Sequence, residues 1–351
     1  MIEAAYNFFY DGNPVSSELL NAGHINRTYL ITTSAERKYV LQCLNSVAFH
    51  NIPGLMGNAV AVSKHILSKG GKTLKFISAS DGRYYWIDGS GEYWRSYEFV
   101  DNCICLVHPE SPEVFYESAV AFGEFQNMLS DFPAETLCET IPRFHDTPDR
   151  YLNFRKAVEE DRAGRVSSVR GEIEFALERE PFADTLTGLL REGRLPLRVT
   201  HNDTKLSNVL LDSRTKKAVC VIDLDTVMPG LTAYDFGDAI RFGCSTAPED
   251  EKDLSKVSLD LNLYRVFARG FLRACPNLTE EERSSLPYGA RMLTLENSIR
   301  FLGDYLDGDV YYHTDYPEHN LVRARTHFKL ISEMEKHWEE MLAIVEETPS
   351  A

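Results

Sequence analysis

No apolar run in this chain approaches the ~18 residues that a membrane-spanning helix needs, so no membrane partner is expected. The opening Met-Ile-Glu-Ala-Ala-Tyr lacks a basic stretch followed by an apolar core, and no signal peptide is expected. Cysteine is scarce and scattered. There are seven, an odd number, and the Cys103-x-Cys105 pair has no second pair to complete a zinc site. These absences predict reduced thiols in a cytoplasmic protein. Positive charge is short as well: 37 Lys and Arg stand against 53 Asp and Glu, a formal net charge of −16, with no basic stripe. A polyphosphate backbone would be repelled, so no nucleic-acid partner is expected. Internal repeats, low-complexity tracts and a full G-x-G-x-x-G loop are also missing.

What remains is ordinary globular material, 43% hydrophobic and 26% charged over 351 residues, a length that fits two lobes. Residues 1–22 read as a short helix and a loop. Segments 23–33 and 38–44, around a turn at 34–37, read as a hairpin. A helix is expected over 55–69, stopped by Gly70-Gly71, and strands at 75–78, 84–87 and 92–99. Beyond Val100-Asp101-Asn102 the pattern turns helical, at 112–130, 154–179, 254–274, 287–306 and, as one long final helix, 319–346. Thr279-Glu280-Glu281-Glu282 is a capping-box signature. The expected class is α+β, with a small strand-rich lobe over 1–100 and a larger, mostly helical lobe over 101–351. A connector near 97–103 joins them, and its backbone at Glu98 to Val100 is the place for adenine in the cleft.

One segment concentrates chemistry. His201-Asn202-Asp203-Thr204-Lys205-Leu206-Ser207-Asn208 is followed, fifteen residues after Asn208, by Asp223 at the end of the apolar run 218–222. Moving a phosphoryl group to a hydroxyl requires a carboxylate beside the attacking oxygen and ligands for the cation that bridges the phosphates. The pattern H-x-D-x-K-x-x-N offers these from one loop. Asp203 can accept the hydroxyl proton, Lys205 can neutralise the transferring group, and Asn208 and Asp223 can hold Mg²⁺. Singly, each has a plain explanation, such as a turn or cap aspartate. The set is far rarer, and it predicts a kinase acting on a small molecule. Asp235-Phe236-Gly237 spells another metal-binding tripeptide, but no buried strand leads into it. Asp235 and Asp238 are therefore expected to cap a helix near Phe236 or to bond the backbone of the 201–208 loop.

The 201–208 loop, Ile222-Asp223-Leu224-Asp225-Thr226 and Tyr234-Asp235-Phe236-Gly237-Asp238 resemble the aminoglycoside-phosphotransferase-like kinases, and within them the N-acetylhexosamine 1-kinases. The likeness extends to Ile25-Asn26-x-Thr28, Tyr39-Val40-Leu41-Gln42-x-x-Asn45, Trp94-Arg95, Arg300-Phe301-Leu302-x-Asp304 through Tyr311, and His319-Asn320-Leu321. It implies a two-lobed protein-kinase-like fold, ATP and Mg²⁺, and phosphorylation of the anomeric hydroxyl of N-acetylglucosamine or N-acetylgalactosamine. It also implies that Gly23, Asn26, Thr28, Gln42, Glu98 and Val100 face the nucleotide, and that Asp203, Arg300 and Tyr311 face the sugar. On its own, Arg300 has Glu296 and Asp304 as helical neighbours, and a structural ion pair is an equal reading. The small lobe departs from the pattern. Kinases of this shape pair a strand lysine with a helix glutamate. Here the strand position is Gln42, and residues 54–69 contain no Asp or Glu. Mg²⁺ with Lys205, or else His24 and Arg27, are the candidates for handling phosphate charge. Asp225 is open between metal and substrate. The alternatives are a kinase of an aminoglycoside or amino alcohol, which the acidity would attract, and a catalytically silent nucleotide-binding module.

Overall fold

The computed structural model describes residues 2–20 and 26–349; Gly23 and His24 lie outside them. The first hundred residues build one antiparallel sheet from β1 (Pro14–Leu20), β2 (Arg27–Thr33), β3 (Lys38–Leu44), β4 (Phe76–Ile77), β5 (Trp86–Ile87) and β6 (Tyr93–Glu98). The order is β1-β2-β3-β6-β4, and β5 also pairs with β6. Side chains alternate between the faces. Tyr29, Ile31, Tyr39, Leu41, Cys43 and Trp94 pack with Ala4, Ala5 and Phe8, the first two on helix α1 (Ile2–Ala5). The other face carries Thr28, Gln42 and Arg95, which the register sets side by side on β2, β3 and β6. Strand β1 was expected as loop. Five of its seven residues are exposed, so no apolar alternation marks it.

Helix α2 (Ile52–Ser68) starts at Asn51, whose side chain accepts the Gly54 N–H, and packs Leu55, Met56 and Val60 against Leu44 and Phe49. The chain then leaves the sheet through β7 (Cys103–Ile104) and enters helices α3 (Pro112–Met128), α4 (Thr147–Glu160), α5 (Arg170–Glu178) and α6 (Thr185–Arg191). The single helical stretch expected at 154–179 is thus two helices. Asp161, in the left-handed region at φ 40°, ends the first. Three short ladders follow from β8 (Arg198–Thr200), β9 (Val209–Asp212), β10 (Ala218–Val221) and β11 (Met228–Gly230): β9 lies between β10 and β7, and β8 pairs with β11.

The remainder is helical: α7 (Thr232–Gly243), α8 (Leu261–Ala274), α9 (Glu280–Asp307), α10 (His319–Lys336) and α11 (Trp338–Glu347). The capping box forms as expected at Thr279, and α9 runs unbroken through Pro287 to Gly308, at φ 98°. The long final helix is divided at His337. Helices α7 and α9 cross so closely that a Cβ on Gly237 would lie 2.3 Å from the Gly289 carbonyl oxygen, and one on Gly289 would lie 2.0 Å from that of Ala233. The result is a small strand-rich part over a larger helical part, as the sequence predicts. Among the described residues no helix is long and apolar enough to cross a membrane.

Candidate active site

Strand β8 delivers the 201–208 loop, and β9, β10 and β11 bring the chain back beside it. The β8–β11 ladder closes the base of the loop with Thr200 opposite Met228. Only glycine fits at 230, because a Cβ there would lie 2.2 Å from Thr200 Oγ1. His201 is buried between Phe122 and Phe125 and is bonded through Nε2 to the Ile222 carbonyl at 2.9 Å; its Nδ1 accepts the Asp203 N–H at 3.3 Å. This imidazole therefore links the loop to the end of β10.

The loop is also held from below by α7. The buried Asp235 carboxylate accepts the N–H groups of His201 at 2.9 Å and Asn202 at 2.8 Å, while Asp238 accepts that of Thr204 at 2.9 Å. Burial pushes Asp235 upward in pKa, against these donors. The aspartates of the Asp-Phe-Gly-Asp segment thus bind loop backbone, as expected of them. Asp238 is bonded in turn by Arg241 at 2.8 and 3.0 Å, and Arg241 reaches Glu249 at 3.0 Å and His327 Nε2 at 3.1 Å.

In the loop both oxygens of Asp203 are engaged. Lys205 Nζ lies 2.8 Å from Oδ1, and Asn208 Nδ2 donates to Oδ2 at 2.9 Å and to the Asp203 carbonyl at 2.8 Å. Burial works against the charge of Lys205, but Asp203 and Asp238 outweigh it and hold its pKa above the usual lysine value. With its nitrogen committed to Asp203, Asn208 has Oδ1 left for a cation. Asp223 follows β10 in the left-handed region at φ 59° and, among the described residues, no donor bonds its carboxylate. It is pushed up to about 7, first by the protein packed around it and then by Asp225 and Asp203. An oxygen pair of this kind, with the Asp223 carboxylate bonded by no donor among the described residues, fits a hard divalent cation that takes its remaining ligands from phosphates and water.

Asp225 does not share that role. Its Oδ1 forms an ion pair with Arg95, and its Oδ2 accepts from Asn26 Nδ2 at 2.7 Å. Arg95 Nε donates to Gln42 Oε1 at 2.8 Å, and Gln42 Nε2 donates to Thr28 Oγ1 at 3.0 Å. Asn26, Thr28 and Gln42, expected at the nucleotide, are therefore linked to one another through Arg95 and Asp225. The sequence places Arg95 within the family likeness but assigns it no role at the site. Its visible signal was a basic residue in a strand beside the vacant lysine position. Arg27, one of the substitutes considered, is exposed and paired with Glu92. At the connector, Glu98 pairs with Lys75 at 3.3 Å, and the Val100 N–H has no protein acceptor among the described residues.

At the far end of the helical part, Arg300 sits on α9. Neither helical neighbour binds it. Glu296 is bonded by His145 Nδ1 at 3.0 Å and Thr147 at 3.2 Å. Asp304 receives the N–H groups of Val310, Tyr311 and Tyr312 and the Asn320 amide. Among the described residues Arg300 has no carboxylate partner; it lies 5.8 Å from the Phe144 ring and 5.6 Å from the Tyr312 ring. Tyr311 is 73% exposed at the rim, whereas the Tyr312 hydroxyl is buried and unbonded. Among the described residues Arg150, absent from the expected set, is also without a carboxylate partner and bonds only the Phe144 carbonyl, at 2.7 and 3.3 Å. The charges of Arg300 and Arg150 both reach Tyr312, as does that of Glu249, which lies within reach of Lys205 as well.

A family model described as a phosphotransferase enzyme family matches residues 17–254, about two thirds of the chain. Among solved structures, the chain is similar to a microcompartment-associated aminopropanol kinase, with 17% identity, 97% of each chain covered and a TM-score of 0.62. It is similar to an aminoglycoside phosphotransferase from Alicyclobacillus acidocaldarius, with 14% identity, 94% of each covered and a TM-score of 0.63. It also resembles an amicoumacin kinase in complex with AMP-PNP, Ca²⁺ and Ami, with 12% identity, 100% of this chain and 93% of that one covered, and a TM-score of 0.63. At these identities the likeness is one of fold.

Proposed function

The chain belongs to the phosphotransferase enzyme family, and on that premise we propose that it transfers the γ-phosphoryl group of ATP to the anomeric hydroxyl of an N-acetylhexosamine. Asp203, steadied by Lys205 and Asn208, orients the hydroxyl and takes its proton. Lys205 offsets charge on the transferring oxygens. Asn208 and Asp223 would hold Mg²⁺, which would supply charge neutralisation to the phosphates. The Val100 N–H, and the backbone carbonyl of Glu98, serve the adenine.

One observation carries the choice of acceptor: among the described residues no carboxylate bonds Arg300 or Arg150, although the chain as a whole is acidic. The two guanidinium groups at this end of the site offer donors to acceptor oxygens, hydroxyl or acetamide, and Tyr311 offers an aromatic face to the sugar ring, while the unbonded Tyr312 hydroxyl and His145 Nε2 are buried behind them. The nearby carboxylates Glu296, Asp304 and Glu249 are already bonded or paired within the protein. A cationic aminoglycoside or amino alcohol would meet two guanidinium groups whose charge Glu296 offsets only through space, without a hydrogen bond, and like charge disfavours it.

The test is ATP–Mg²⁺ turnover on free N-acetylhexosamines, other free sugars, aminoglycosides and amino alcohols, with NMR of the product to locate the phosphate. A 1-phosphate is expected, and the methyl glycoside of the best sugar should bind without reacting. Phosphorylation of that glycoside, or a preference for a cationic amine, would overturn the assignment. Arg300→Ala should raise KM for the sugar by more than KM for ATP.

A further inference from the structure

We propose that the buried Arg95–Asp225 ion pair is the device that holds the small sheet, the nucleotide-side Asn26 and the Asp223 turn in one register, making both its members positioning residues for phosphoryl transfer. The proposal rests on the nucleotide-dependent reading above. Thr28, Gln42 and Arg95 form one rung across β2, β3 and β6, in which Arg95 donates to Gln42 and Gln42 donates to Thr28. The rung ends on Asp225, which belongs to the turn after β10, two residues beyond Asp223. The second oxygen of Asp225 returns to the small lobe through Asn26, whose own Oδ1 accepts the Asn45 N–H at 3.0 Å. Both ends of the β2–β3 pair that do not turn are thereby tied to the same carboxylate.

Arg95 is 1% exposed and Asp225 3%, so neither is placed to touch a ligand directly. A buried pair of this kind adds little net stability over apolar residues of the same volume, because desolvation offsets the attraction; what it does impose is a single arrangement. Helix α2 is not a rival source of that control. It has no carboxylate to give, and its buried Asn58 docks it directly on the Val227 carbonyl at 2.9 Å and the Cys138 carbonyl at 2.7 Å, while the Met56 sulfur lies 3.9 Å from Arg95 Nη1. Sheet, helix α2 and the Asp223 turn therefore meet at residues 225–227. The vacancy left by a glutamine at the lysine position is filled by an arginine one strand away, and the helix glutamate is replaced by an aspartate from the turn itself.

Three variants test this in the full chain: Arg95→Met combined with Asp225→Leu, which removes the pair without leaving a buried charge; Arg95→Lys, which keeps the charge but cannot bond Gln42 and Asp225 in one plane; and Asn26→Ala, which removes no charge. Each is assayed for urea midpoint, for Mg²⁺-dependent binding of a fluorescent ATP analogue, and for kcat and KM with the best acceptor. The double variant is expected to keep its midpoint while losing at least about 100-fold in kcat, with Arg95→Lys between it and wild type. Asn26→Ala should raise KM for ATP about tenfold with KM for the acceptor unchanged, and it decides the matter if the double variant does not fold. Double-variant and Asn26→Ala values within twofold of wild type for kcat and nucleotide affinity would reduce the pair to a structural contact. A wild type that turns over no acceptor but binds the nucleotide removes the proposed reaction and leaves the nucleotide arm to decide the register. A wild type that does neither overturns both.

Discussion

Removing the charge at Asp223 is expected to stabilise the ligand-free protein while abolishing turnover. In the folded state its pKa rises from 3.8 to about 7, through the surrounding protein and then through Asp225 and Asp203. The sign follows from linkage. Below the unfolded value both states are protonated and there is no penalty. As pH rises the unfolded chain ionises first, stability falls, and above the folded value the penalty is constant. At full effect such a shift corresponds to roughly 4 kcal/mol, but Asp223 opens to water in the cleft, and screening leaves about 1–2 kcal/mol. Asp223→Asn keeps the shape and tolerates the left-handed backbone. Urea midpoints in EDTA should show almost no gain at pH 4 and a gain of about 1–2 kcal/mol at pH 8. With ATP and Mg²⁺ the order should invert, because only the wild type gains ligand stabilisation. A variant no more stable than wild type at pH 8, or equally stabilised at pH 4, would refute the account of a carboxylate waiting for a cation.

Asp203→Asn should bind nucleotide within a few-fold of wild type and lose about 100-fold or more in kcat; unchanged turnover would remove Asp203 from the mechanism. Gly289→Ala puts a methyl group against the Ala233 backbone and should cost about 3 kcal/mol in urea unfolding, with kcat falling as α7 and Asp235 shift; a stable, fully active variant would mean the helix crossing does not set the loop. His327 is lowered from 6.5 to about 4, mainly by burial and then, among the groups that lower it, by Arg241. Its contribution is complete above pH 6.5 and is lost as pH falls towards 4, by up to about 3 kcal/mol, and His327→Gln should flatten that part of the stability profile.

The phosphoryl-transfer loop was legible because its members are close in sequence and their spacing is dictated by chemistry. Asp203, Lys205 and Asn208 do meet, and Asp235 and Asp238 do hold their backbone. The Arg95–Asp225 pair was not legible, since 130 residues separate its members and only the strand register puts Arg95 beside Gln42. Arg150 lies before the helical stretch expected at 154–179, in the first turns of a helix that begins at Thr147, with nothing in the pattern to single it out. For Arg300 the sequence left two readings open. Commitment of Glu296 to His145 and of Asp304 to the 310–312 backbone is a tertiary fact that no i,i+4 rule contains. Strand β1 and the breaks at Asp161 and His337 escaped because an exposed edge strand and two helix ends carry little apolar signal.

The backbone contact between Gly237 and Gly289 turns helix α9 into a ruler. At its near end it fixes α7, and through Asp235 the base of the 201–208 loop. Eleven residues further along, about 16 Å of helix, it presents Arg300. The 201–208 loop and Arg300, proposed to hold the reacting hydroxyl and the far end of the acceptor, are therefore spaced by one helix. Inserting a single residue between 289 and 300 would turn Arg300 by about 100° away from its present direction while leaving the loop in place. Under the proposed assignment acceptor length is a matter of helix phase, and a longer or shorter acceptor is met by whole turns of α9 without touching the 201–208 loop.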